Sequence, residues 1–284
     1  MILGFVGVAI FSLTLPATRV AVVHLDPMFV GLGRSLVAAL FALAFLVAVR
    51  APWPNRAQWR ALACTAAGVI FGFPAFTSWA MRHVPSSHGA IVVGLLPLAT
   101  ALMGAWIHHE RPSAGFWSAA AAGSALVVGF AVYTGGGSLN LAHLALFAAV
   151  VLGAFGYAQG AYVTRELGGR ETISWALVLS APFLALPVWQ AAQRSDFAQA
   201  SAAEWAGFAY VTIFSQYLGF FAWYKGLGLG GVARVSQVQL VQVFLTMAFA
   251  ALLLGEKVTW LMAAFAIAVV ATVAIGRRMP VRRA

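Results

Sequence analysis

Residues 86–107 read SSHGAIVVGLLPLATALMGAWI, and His108-His109-Glu110-Arg111-Pro112 follows at once. The stretch contains no Asp, Glu, Lys or Arg. As a helix it is about 33 Å long at roughly 1.5 Å per residue, enough to cross a hydrocarbon core about 30 Å thick. The abrupt change to charge and proline marks where the chain leaves that core. Working outward, similar apolar runs fall at 2–23, 28–49, 58–81, 113–133, 142–164, 172–192, 205–224, 232–253 and 258–276. Charged or Gly/Pro clusters separate them, as at Arg50 to Arg56, Arg165 to Glu171 and Arg194 to Asp196. The expected fold is an all-α integral membrane protein with ten transmembrane helices.

Composition supports this and excludes several functions. Of 284 residues 62% are hydrophobic and 8% charged, and seven acidic side chains cannot clothe a water-facing surface. No soluble domain fits between the spans, and no G-x-x-x-x-G-K-S/T stretch supplies a nucleotide site for an ATP-driven pump. The single Cys64 rules out an internal disulfide, and no cofactor or metal site is expected. Met1 to Val23 lacks a basic leader and reads as the first span rather than a signal peptide. The net charge of +10 sits in loops, so it sets orientation and implies no nucleic acid.

An even number of spans puts both ends on one side. With the arginine-rich tail placed inside, cytoplasmic loops and ends hold twelve of the basic residues and the opposite side five. That bias predicts cytoplasmic termini in a bacterial inner membrane.

The chain also repeats itself. Glu110 and Glu256 lie 146 residues apart, as do Trp59 and Trp205, and each Glu follows a long apolar span and precedes a basic residue. Residues 1–140 and 141–284 thus read as two five-helix units. Five is odd, so the second unit enters the membrane upside down. Inverted repeats are characteristic of secondary transporters, whose halves exchange conformations around a shared site.

Ala80, Pro97-Leu98, Glu110-Arg111, Gly255-Glu256-Lys257 and Arg34-Ser-Leu-Val-Ala38-Ala39-Leu40 together resemble the EamA branch of the drug/metabolite transporter superfamily. The resemblance extends over the whole chain. It is closest to the YddG-like exporters of aromatic and other neutral amino acids. It implies a ten-helix exporter of small metabolites, with membrane lipid and a small-molecule substrate as partners and no obligatory protein partner. It also implies a structural or gating role for Arg34, ahead of one as counter-ion to a substrate carboxylate, and for Pro97. Val243 stands where the family often has a second proline, so the ninth helix should be less kinked than the fourth.

Polar residues inside spans are costly and usually face a cavity or a partner helix. Candidates for the substrate path are Tyr157 and Gln159, Gln216 and Tyr217, and Gln239 and Gln242, the last two sharing one helix face. Phe76, Trp79 and His83 form a stripe from Gly72, and Trp223 joins Gln216 on a second stripe. Aromatic walls suit flat apolar side chains. His88 opens the fourth span and is a further path candidate.

Three motifs receive plainer readings. Pro85-Ser86-Ser87-His88 is similar to the P-S-G-H element of membrane lipid phosphatases, and an embedded lipid-modifying enzyme using Ser87 and His88 is the alternative function. The companion motifs of such enzymes are missing. His108-His109-Glu110 points its side chains about 100° apart in a helix, which disfavours a metal site. Gly226-Leu-Gly228-Leu-Gly230-Gly231 lies between two spans, not after a strand, and reads as a flexible linker. All carboxylates fall in loops or at span ends, so the carrier is expected to be facilitative or weakly coupled.

Overall fold

The structure, a computed structural model, describes residues 2–107, 111–134, 136, 139–230, 235–279 and 281–282. Its helices are α1 (Ile2–Ser12), α2 (Thr14–Ala21), α3 (Pro27–Ala48), α4 (Arg56–Ala66), α5 (Phe73–His83), α6 (Ser86–Val93) and α7 (Leu96–Ile107). They continue as α8 (Ala114–Thr134), α9 (Leu141–Leu167), α10 (Gly169–Ala192), α11 (Ala202–Tyr210), α12 (Gly219–Gly230), α13 (Leu240–Leu254) and α14 (Trp260–Arg278). Two π-helical segments, Ala67–Gly72 and Val211–Leu218, join α4 to α5 and α11 to α12. A 3-10 turn, Ser236–Gln239, leads into α13. The only extended pairing among the described residues is a two-residue bridge, Arg111–Pro112 against Val281–Arg282.

The protein is a multi-pass membrane protein. Among the described residues seven helical stretches are long and apolar enough to cross a bilayer, and they coincide with the first seven expected runs. Two shorter apolar helices, Leu240–Leu254 and Trp260–Gly276, coincide with the last two. The eighth run is the helix–π–helix path from Ala202 to Gly230. Large apolar side chains such as Leu40, Val47, Leu186 and Leu252 stand more than half exposed, a surface that water would not tolerate but lipid tails would cover. Aromatic clusters mark both ends of the bundle, Trp53–Trp59–Trp175 at one and Phe29–Phe197–Trp205–Phe208 at the other.

Local chemistry starts the helices where the sequence changes character. The Asp26 carboxylate accepts from Met28 and Phe29 N–H groups at the start of α3, with Pro27 in the first turn. Asn55 with Gln58, and Ser201 with Glu204, form reciprocal capping boxes on α4 and α11. Thr259 caps α14, and Gly255, at φ 65°, closes α13 in a conformation a side chain would strain. The fourth run breaks between α6 and α7 just before Pro97, while α13 continues unbroken through Val243. The missing Pro97 N–H removes one helical bond, which explains the difference.

Elements 146 residues apart are neighbours or exchange neighbours. α3 packs most extensively on α10, and α8 on α14. α1 packs on α12, and the corresponding pair α9 and α5 packs likewise. The tightest approach is at Gly68 and Gly156, where the first π segment meets α9 backbone to backbone. The glycines at 226 and 228 belong to α12 rather than to a flexible linker. A Cβ on Gly226 would lie 3.0 Å from the Gly4 nitrogen, so the small residue is needed for contact with α1.

Candidate functional site

Between the two halves lie two adjoining cavities that share Leu15, Val93, Leu96 and Gln242. The larger is lined by Phe11, Thr14, Arg34, Phe73, Tyr157, Ser215, Gln216 and Phe220 among others. The smaller, about 260 Å³, adds Pro97, Gln239, Val243 and Thr246. Both are narrow fissures, so lining side chains must withdraw before an amino-acid-sized molecule fits. Among the described residues no Asp or Glu lines either one.

The π segments shape this site. A π turn leaves one carbonyl without its helical partner, and such turns recur at functional sites. Here the Gln216 amide, from the second π segment, donates to the Val69 carbonyl in the first at 3.1 Å. Ser35 donates to the next carbonyl, that of Ile70, at 3.2 Å. Thr14 and Ser215 share a hydrogen bond of 2.8 Å across the cavity wall. Gln239, although 3% exposed, has neither amide atom partnered among the described residues. Replacing Gln216 with Ala leaves the Val69 carbonyl bare in a dry site, at a cost of about 1–3 kcal/mol. A thermal-denaturation midpoint in detergent equal to that of the parent would refute this cross-link.

The expected path residues separate into two groups. Tyr157, Gln216, Gln239, Gln242 and Arg34 come together at the cavity, and Pro97 lines its smaller part. Trp223 lies one layer behind, buried against Phe11 and Tyr157 at ring distances of 6.2 and 5.9 Å. Tyr217 turns toward α3 and α10, bonding Ser174 at 3.2 Å, and Gln159 is half-buried outside the lining. Phe76, Trp79 and His83 stand on a face turned from the cavity. Phe76 is 39% exposed, His83 is exposed, and the Trp79 and His83 rings lie 4.5 Å apart.

The reason is register. Phe76, Trp79 and His83 share one stripe of the regular helix α5, but the α5 residue at the cavity is Phe73, off that stripe. Trp79 and Trp223 are moreover 144 residues apart, two short of the repeat, and two residues rotate a helix by about 200°. Trp79→Ala is therefore expected to change transport less than twofold, measured as initial flux per reconstituted molecule. A tenfold loss would return Trp79 to the path.

At one end of the bundle a wider vestibule of about 1080 Å³ is lined by Arg19, Arg82, Pro85, Ser201, Glu204 and Glu256. Arg19 donates to the Met81 carbonyl, and Glu204 accepts from His24 through both backbone and ring. The Glu256 carboxylate takes the Ser86 and Ser87 backbone N–H groups, each at 2.8 Å, and the Ser86 hydroxyl at 2.9 Å. It thereby caps α6 from across the repeat boundary, favourable for an anion at a helix N-terminus. Burial alone would raise this carboxyl, but the hydrogen bonds from Ser87 and Ser86 outweigh it and hold it below the ordinary value. His88, half-buried, lies edge-on to Phe130 at 5.3 Å, away from the central cavity.

The model of the EamA-like transporter family matches twice, over residues 1–133 and 140–276. The chain belongs to the EamA-like transporter family. This EamA-like protein is 44% identical over 275 residues to the uncharacterized transporter YdeK of Bacillus subtilis strain 168, covering 97% of this chain and 96% of that one. A solved structure known only as the crystal structure of a protein shares its fold, with a TM-score of 0.63 at 16% identity, over 97% of this chain and 95% of that one. An EamA-like transporter is not an enzyme, which sets aside the lipid-modifying alternative. Ser86 and Ser87 instead receive Glu256.

Several contributors were invisible in the sequence. Phe11, Thr14 and Ser215 carry no motif, and a π turn has no reliable residue signature. Ser215 could have been suspected only because it adjoins Gln216. His108, His109 and Glu110 lie outside the described residues, as does the side chain of Gln237. Among the described residues no three His, Cys, Asp or Glu side chains converge as metal ligands.

Proposed function

We propose that this transporter exports small neutral metabolites, with aromatic and other hydrophobic amino acids the leading substrates, by alternating access. In this reading ten spans form an inverted 5+5 repeat of residues 1–140 and 141–284, in a bacterial inner membrane with both termini cytoplasmic. The observation that carries it is the central cavity. Elements of both halves line it: α1, α2, α3, the first π segment, α5, α6 and α7 from one, and α9, the second π segment, α12, the 3-10 turn and α13 from the other. The exchange of neighbours at a spacing of 146 residues, and the double family match, support two halves that trade conformations. Aromatic and amide groups fit a flat, neutral side chain.

The absence of carboxylates from the lining supports facilitative or weakly coupled movement. Tyr157, Gln216, Gln239 and Gln242 are the proposed contacts, and Trp223 supports them from behind. Uptake of radiolabelled amino acids, nucleosides and aromatic cations into proteoliposomes tests the reading. Saturable flux with counterflow of aromatic amino acids is expected. Non-saturable flux would indicate a channel, and preference for nucleosides would remove the amino-acid assignment. A pH-gradient dependence abolished by changing a span-end carboxylate would count against weak coupling.

A further inference from the structure

Arg34 is the eighth residue of α3, roughly 10 Å inside the helix start at about 1.5 Å per residue. It is 1% exposed, yet it borders the larger cavity. Its Nε and Nη1 nitrogens have no hydrogen-bond partner among the described residues. A buried charge of this kind normally has a carboxylate beside it. Here the ion pairs among the described residues are His24–Glu204, Arg170–Glu171 and Arg194–Asp26, and none reaches Arg34. The neighbours that share the cavity wall are neutral: Thr14, Tyr157, Ser215, Gln216 and Gln242. Two of them, Thr14 and Ser215, already bond each other, and Gln216 is engaged with Val69.

A guanidinium placed in the bilayer interior is costly. Leaving its donors unpaired adds to that cost, so the arrangement is relieved when an anion enters. We propose that Arg34 is the counter-ion for a substrate carboxylate, and that the cavity selects organic monocarboxylates without needing an α-ammonium group. Arginine suits the task because it stays charged and offers donors in a planar fork that matches a carboxylate. Phe11, Phe73, Tyr157 and Phe220 then receive the organic part. Among the described residues the same wall contains no acidic residue to receive an ammonium group, which makes the selectivity one-sided. This revises the structural role that the family resemblance implied for Arg34, and it rests on the carrier reading above.

The test uses three probes with one phenyl side chain: phenylalanine, 3-phenylpropionate and 2-phenylethylamine. Each competes at increasing concentration against radiolabelled phenylalanine counterflow in proteoliposomes of the full chain. Phenylalanine and 3-phenylpropionate are expected to inhibit within about threefold of each other, and 2-phenylethylamine at least tenfold more weakly. Arg34→Gln should weaken both carboxylates at least tenfold and leave the amine unchanged, with Arg34→Lys intermediate. The three-probe ranking on the parent protein needs no variant, so it stands even where Arg34→Gln fails to fold. Equal inhibition by the amine, or unchanged carboxylate affinity in folded Arg34→Gln, overturns the assignment while leaving the carrier intact. Absence of saturable flux for every compound tried removes the carrier reading and this inference with it.

Discussion

Gly68→Val is expected to leave almost no folded protein in the membrane. A Cβ at residue 68 would lie 2.6 Å from both the Cα and the nitrogen of Gly156, and closer still to the Leu152 carbonyl oxygen. These are backbone atoms of α9, which no rotamer change can withdraw. A Cβ on Gly156 would in turn meet Val69 at 2.8 Å and Gly68 at 3.0 Å, so the fit is reciprocal. Overpacking in a close-packed interior costs about 1–3 kcal/mol when side chains can adjust, and more when backbones must part. Separation at this point would also displace the neighbouring Val69 carbonyl, which accepts from Gln216 of the second π segment. Gly104→Ala is the control. Nothing lies within 4 Å of a Cβ there, and alanine favours a helix by up to about 1 kcal/mol over glycine. Abundance in the membrane fraction and the detergent size-exclusion profile report the outcome. A monodisperse Gly68→Val protein with parental flux would show that this contact is not needed.

That glycine pair shows which parts of the fold the sequence made readable. Gly68-x-x-x-Gly72 and Gly156-x-x-x-Gly160 place small residues four apart, a spacing that lets helices approach closely. The membrane-spanning runs were as plain, because apolarity over some twenty residues has few other uses. The π segments were not readable. Ala67–Gly72 and Val211–Leu218 have ordinary apolar compositions, and the geometry arises from packing against neighbours rather than from propensity. Phe76 and Trp79 follow the first of these segments, and neither is among the described residues that line the cavity.

The candidate site followed the same division. Gln216, Gln242 and Tyr157 stand out in the sequence because amides and hydroxyls inside a span need a partner, and all three border the cavity. Gln159 and Tyr217 satisfy the same criterion but answer to different neighbours, Tyr217 to Ser174 and the Phe41 carbonyl. Residue type signals that a partner exists; only the three-dimensional arrangement says whether it is a substrate or another helix. Arg34 shows the converse. Its type and depth are visible in the sequence, whereas the unpartnered Nε and Nη1 among the described residues are a property of the surrounding helices.

Glu256→Ala should carry the next largest effect, a loss of about 2–4 kcal/mol. The substitution strips the acceptor from two backbone N–H groups at buried Ser86 and Ser87, each worth about 1–3 kcal/mol when left unpaired. Water from the adjoining vestibule offsets part of that. Glu256→Gln should fall between, since one oxygen remains to accept and the charge at the start of α6 is gone. The carboxyl sits below its ordinary 4.5 in the folded protein because bonds from Ser87 and Ser86 outweigh burial. Its contribution is therefore whole above 4.5 and fades as pH falls through the depressed value. The parent should lose its thermal advantage over Glu256→Gln only in that acidic window, and keep it at pH 7. Midpoints measured in detergent from pH 7 to pH 3 decide this; a constant gap across the range would refute the linkage. The consequence for transport follows from position. α6 carries Ala90 and Val93 to the central cavity, and its cap comes from the loop after α13 in the opposite half. Any exchange of conformations between the halves must therefore stretch or break the Glu256 bonds. Flux should fall several-fold in Glu256→Ala where the clamp aligns the cavity wall, and rise where breaking it limits the rate. An unchanged rate would mean that α6 and this loop move as one body.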